Sequence, residues 1–176
     1  FQRAMAGMTG KKAKNQDSFW SWRELMYCFL EKLNPEHIEA IAALVFMEML
    51  ESGYASVGEF HYLHHQQGGQ PYENIAETSS RIIAAAIQTG IGLTHLPVYY
   101  MQGGLSGEQL SKGQLRFGNN TKNYFRILEK IENEIQTAPE DYMFGMAPHS
   151  LRAVSPEALK EILDSRQCEP VHIHIS

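Results

Sequence analysis

Four extended runs, Ser56–Leu63, Gly92–Met101, Tyr142–Pro148 and Pro170–Ile175, alternate with segments of helical period, and this alternation is the tightest constraint on the fold. Strands that alternate with helices of this length imply right-handed βαβ units and a parallel sheet. Trp20–Leu33 places Trp22, Met26, Phe29, Leu30 and Leu33 at helical spacing, with Asp17 or Ser18 available as a cap. Asn34-Pro35-Glu36 opens a second helix through Ile38, Ile41, Ala42, Val45 and Met49 that stops before Gly53. A third helix is expected over Glu73–Thr89, ended by Gly90. A fourth, Thr121–Thr137, gathers Tyr124, Phe125, Leu128, Ile131 and Ile135 on one face, and Ser155-Pro156-Glu157 starts a fifth. Two architectures satisfy this order, an open doubly wound sheet and a (β/α)8 barrel. No G-x-G-x-x-G follows a strand, which removes the dinucleotide-binding form of the first. A complete barrel needs about 250 residues, and this chain has 176. The order therefore describes a small open sheet or a piece of a barrel.

At 176 residues and 43% hydrophobic content the chain suits one globular domain rather than a disordered segment. A net charge of -5 argues against binding a phosphate backbone. No apolar run approaches the ~20 residues of a membrane span. Cys28 and Cys168 lie far apart in no metal or redox motif, so a reduced, cytoplasmic protein is expected. The chain opens on Phe1-Gln2-Arg3 without Met and stops within a strand-like alternation, Val171 to Ser176. Both ends are expected to continue in a longer polypeptide.

Polar residues cluster at the C-terminal ends of the strands, where α/β folds build their sites. The first strand leads into His61, His64 and His65, the third into His149 and Arg152, and the fourth carries His172 and His174. Residues two apart on a strand share a face, so His172 and His174 can reach one metal or one substrate. Arg152 suits a bidentate carboxylate clamp or, equally, a solvated loop cation. His64-His65 beside Gln66-Gln67-Gly68-Gly69 reads as a polar loop, and Met26, Met47 and Met49 read as core filling.

Several segments together resemble the formimidoylglutamate deiminases, a family of the amidohydrolase superfamily. They are Phe1-Gln2-Arg3-Ala4-Met5-Ala6-Gly7, Phe19-Trp20-Ser21-Trp22-Arg23, Glu59-Phe60-His61-Tyr62-Leu63-His64-His65, Gly92-Leu93-Thr94 with Leu96-Pro97-Val98, Ala147-Pro148-His149-Ser150-Leu151-Arg152-Ala153-Val154 and Pro170-Val171-His172-Ile173-His174-Ile175. The resemblance implies an incomplete (β/α)8 TIM-type barrel, roughly strands two to five with their helices, filling residues 1–176 as a partial catalytic domain. It implies zinc-dependent hydrolysis of N-formimidoyl-L-glutamate to N-formyl-L-glutamate and ammonia, a step of histidine degradation. His174 would be the metal ligand of the fifth barrel strand. Gln2, Arg23, Tyr62, His149 and Arg152 would line the substrate pocket. The family's His-x-His pair would precede Phe1, its acid–base glutamate would follow Ser176, and its remaining ligands are missing. The chain alone is therefore expected to be inactive. A small-molecule substrate and a homodimer are expected, with no nucleic acid and no membrane. Two other readings are a deaminase of an aminated heterocycle and a non-catalytic half-barrel.

Overall fold

Asn34 begins its helix as the sequence predicts: its side chain accepts from the His37 N–H at 2.8 Å, and its own N–H donates to His37 Nδ1 at 3.4 Å. These bonds satisfy backbone donors that the first turn would leave unmade. In the computed structural model of the chain, which describes residues 1–7, 18–166 and 170–175, this helix is the second of five. They are α1 (Ser18–Leu30), α2 (Pro35–Glu51), α3 (Glu77–Thr89), α4 (Thr121–Ile135) and α5 (Pro156–Ser165). Of the two caps expected for α1, Asp17 lies outside the described residues and Ser18 is already the first residue of the helix. Gly90 ends α3 in the left-handed region, at φ +79°, and donates to the Ala86 carbonyl at 2.8 Å. The helix expected from Glu73 starts later, because Asn74 turns the chain first: its Oδ1 accepts from the Ala76 N–H at 3.1 Å.

The strands are β1 (Ser56–His61), β2 (Gly92–Tyr99), β3 (Met143–Phe144) and β4 (Ala147–Pro148), and all pairings are parallel. β2 lies between β1 and β3, and β4 also pairs with β2. Register sets Glu59 opposite His95 and His61 opposite Pro97. The run expected as one strand from Tyr142 to Pro148 is broken at Gly145. There the 170–175 segment passes so close that an added Cβ would stand 2.2 Å from the Pro170 carbonyl oxygen. That segment, expected as a strand, forms a single bridge from Val171 to Met146 and further backbone bonds at His172 and His174. The sheet does not close among the described residues.

The core runs between the sheet and the helices. Phe46, Ile82, Ile83, Leu93 and Val98 pack in one cluster, and Tyr99, Tyr124, Leu128 and Ile162 in another. Arg81 ties α3 to α2 through Glu39 at 2.9 Å and braces its own helix through Glu77 at 2.8 Å. Of the methionines expected to fill the core, Met26 is buried but Met47 is 45% exposed. Leu44, one turn before it, is exposed as well, because α2 is apolar around more of its girth than its contacts cover. No helix among the described residues is long and apolar enough to cross a membrane.

Candidate active site

Strand alternation sorts the residues of β1 onto two faces. Phe60 and Tyr62 look toward a cleft of ≈ 820 Å³, together with Tyr100 after β2 and His149 after β4. The cleft also receives Gln2, Arg23, Arg152 and His174, so the six residues singled out in the sequence line one space. Gln2 comes from a short helical turn over Gln2–Met5, Arg23 from α1, and Arg152 from the turn before α5.

Aromatic packing arranges the imidazoles. The Phe60 ring lies 6.0 Å from that of His149, 5.2 Å from His172 and 4.2 Å, stacked, from His174. His149 and His174 meet edge to face at 5.3 Å. Burial pushes the His149 imidazole down to about 4, with His174 and Arg152 adding to the effect, so it is neutral at neutral pH. Its Nδ1 lies 3.1 Å from Ser150 Oγ. Burial, aided by His172, also lowers His174. Arg23 donates from Nε to the Tyr27 hydroxyl at 2.9 Å. Tyr62 stands edge-on to Phe117 at 4.8 Å, and burial raises its phenol, keeping it a neutral donor.

The opposite face holds a second set of histidines with a different role. His61 Nε2 lies 3.0 Å from Thr78 Oγ1 of α3, and the His61 ring is 5.3 Å from that of His95 and 5.5 Å from that of His64. His64 and His65, expected in a polar loop, are buried instead. Their Nε2 atoms donate to the Val98 carbonyl and to the Gly118 carbonyl, each at 2.8 Å, and both backbone N–H groups donate to the Arg116 carbonyl. These acceptors satisfy the Nε2 and backbone donors, whereas both Nδ1 atoms are buried without a partner among the described residues.

Because His61, His64 and His95 are buried uncharged, acid is expected to destabilise the fold. Burial, reinforced by neighbouring imidazoles, pushes His64 and His95 down to about 3 and His61 well below its usual value. The unfolded chain takes up protons near pH 6.5, whereas the folded one resists. Stability is therefore full above about pH 6.5 and falls as pH drops from there toward about 3, by up to roughly 1.4 kcal/mol per pH unit for each histidine. Urea midpoints at pH 7 and pH 5 check this, and a His95→Leu variant is expected to show a shallower decline. Equal midpoints at the two pH values would refute it.

The sequence signature of the amidohydrolase family matches residues 6–176. The chain belongs to the amidohydrolase family. It is 45% identical over 177 residues to the formimidoylglutamate deiminase of Pseudomonas aeruginosa, an alignment covering 100% of this chain and 39% of that one. A crystal structure of an amidohydrolase from Brucella melitensis superposes with a TM-score of 0.95 at 44% identity, covering 99% of this chain and 39% of the other. A triazine hydrolase from Arthobacter aurescens, at 19% identity and a TM-score of 0.61 over 82% of this chain and 31% of its own, shares the fold. The chain thus spans about two-fifths of the length of its near relatives. The amidohydrolase barrel accounts for the parallel sheet, and the expectation of an incomplete (β/α)8 barrel stands.

Amidohydrolases generally use divalent metals. Among the described residues no group of three or more His, Cys, Asp or Glu side chains is placed to hold an ion. These residues do not form a metal centre by themselves, and His174, an exposed imidazole at the cleft, fits a single ligand of one. Among the polar cleft residues that sequence reasoning missed are Tyr27, Glu59 and Tyr100. Glu59 was visible two residues before His61, but nothing in an apolar run marks Tyr100.

Proposed function

We propose that the polypeptide carrying this chain hydrolyses N-formimidoyl-L-glutamate to N-formyl-L-glutamate and ammonia, with zinc as its metal and a role in histidine degradation. The observation that carries this reading is the convergence of Arg23 and Arg152 with neutral imidazoles on one cleft, in a chain that resembles a formimidoylglutamate deiminase from end to end. A glutamate moiety brings two carboxylates, and guanidinium groups match them with paired, directional hydrogen bonds. A neutral heterocycle offers Arg152 no such partner, which disfavours that alternative.

In the reaction the oxygen of water bonds to the formimidoyl carbon, and the bond from that carbon to its terminal nitrogen breaks to release ammonia. A bound metal supplies Lewis-acid activation of the water, and His174 would be one of its ligands. This chain's own residues bind and orient. Arg152 and Arg23 hold the carboxylates, Gln2 and Tyr62 add uncharged hydrogen bonds, and His149 presents a neutral imidazole beside His174. The aromatic wall of Phe60, Tyr62 and Phe117 keeps water from the flanks and strengthens these contacts.

Ammonia release from N-formimidoyl-L-glutamate tests the reading. The intact polypeptide is expected to turn the substrate over and to lose activity to a chelator, regaining it with zinc; the 176 residues alone are expected to be inactive. Preference for an aminated purine, or no turnover by the intact polypeptide, would overturn it.

A further inference from the structure

Tyr100 follows β2, is 5% exposed, and sets its ring edge-on to His149 at 4.8 Å. Its hydroxyl lies 2.9 Å from Gln114 Nε2. The direction of that hydrogen bond is fixed from the far end of the amide. Gln114 Oε1 accepts the Ser111 backbone N–H at 2.8 Å, and Gln114 is itself 2% exposed. An amide whose oxygen already meets a donor presents its NH₂ to the other neighbour. The phenol oxygen is therefore the acceptor, and its own proton must go elsewhere. Among the described residues no acceptor takes that proton, and Tyr100 lines the cleft. Burial raises the phenol above its usual value, against the pull of Arg152 and Arg23, so it stays protonated at neutral pH. A buried neutral donor beside cationic side chains suits an anionic oxygen.

We infer that Tyr100 is a substrate-binding residue that donates its phenolic proton to a carboxylate of the acidic substrate, alongside Arg152, and that Gln114 is the positioning residue that turns this proton into the cleft. The inference rests on the acidic substrate proposed above. It deepens that reading by adding an uncharged carboxylate donor whose direction is set by a second side chain.

The test uses the intact polypeptide. Tyr100→Phe keeps the ring and its packing on His149, so the melting temperature is expected to hold. The KM for N-formimidoyl-L-glutamate and the Kd of N-formyl-L-glutamate by calorimetry are expected to rise about 10- to 100-fold, the worth of one hydrogen bond to a charged group. The kcat is expected to change by less than about threefold, since the contact is made in ground and transition state alike. Gln114→Leu, which leaves the phenol free to rotate, is expected to give a smaller rise of the same kind, in KM and not in kcat. If the unaltered polypeptide binds N-formyl-L-glutamate and Tyr100→Phe binds it equally well, the inference is overturned while the functional reading stands. A loss confined to kcat overturns it too. If the unaltered polypeptide neither binds the acidic product nor turns over the acidic amidine, the functional reading fails and this one with it.

Discussion

An Arg116→Met variant is expected to lose about 3–5 kcal/mol of folding stability, a large share of the roughly 5–15 kcal/mol that a folded domain has to lose. Arg116 is 1% exposed, and no carboxylate among the described residues lies within ion-pair distance of it. Its guanidinium instead donates to backbone carbonyls: to His65 at 2.8 Å, to Leu33 at 3.1 Å and, more closely, to Leu30. Leu30 and Leu33 close the C-terminal end of α1, where unpaired carbonyls and the negative pole of the helix favour a cation. His65 follows β1. One side chain thus fastens the helix that carries Arg23 to the strand that leads into Tyr62. Methionine fills the volume but takes this donor from the His65 and Leu33 carbonyls and leaves the Leu30 carbonyl only the Leu33 N–H, and lysine, with a single ammonium, reaches fewer of them. Thermal melting checks this, with a fall of about 10 °C expected for methionine and an intermediate one for lysine. A methionine variant that melts with the unaltered protein would show that those carbonyls find other donors.

Arg152→Met is expected to lower kcat/KM for N-formimidoyl-L-glutamate by about 30- to 1000-fold in the intact polypeptide, the usual cost of removing one side of a desolvated charge pair. Arg152 is exposed at the cleft rim, and its backbone carbonyl accepts from Gln102 Nε2 at 3.3 Å, so the turn is held without help from the guanidinium. The fold is therefore expected to tolerate the change. Activity toward an amidine without carboxylates, such as formamidine, should move little. Steady-state kinetics with both substrates decide the matter: an equal loss on the two would assign Arg152 to the chemistry rather than to carboxylate recognition.

The alternation of strands and helices was legible because each element carries its own periodicity and caps. Asn34-Pro35 and Gly90 mark boundaries that the structure keeps. The six cleft residues were legible for another reason, through segments whose resemblance extends along the chain. Features fixed by partners distant in sequence escaped. His64 and His65 read as loop residues because they sit among glutamines and glycines, yet Gly118 and Asn119, more than fifty residues on, accept from His65. Arg116 lies in a segment with no period of its own, and its role appears only once α1 and the end of β1 converge on it. Tyr100 looks like any aromatic in a buried strand, and it becomes distinctive only through the direction in which Gln114 donates. The final segment alternates like a strand, but pairing depends on neighbours that a single run cannot reveal.

The two faces of β1 limit how this sequence can change over evolutionary time. Phe60 turns its ring to the cleft histidines while His61, the next residue, meets Thr78 on the other side. Loss or gain of one residue within Ser56–His61 would exchange the two, sending an imidazole into the cleft and a phenyl ring against α3. Substitutions can accumulate here one at a time, each weighed on its own face. A change of length cannot, because it alters the cleft wall and the packing against α3 in the same event. Lineages descended from this chain are therefore expected to keep the spacing from Ser56 to His61 even where the residues themselves drift, and to vary in length elsewhere.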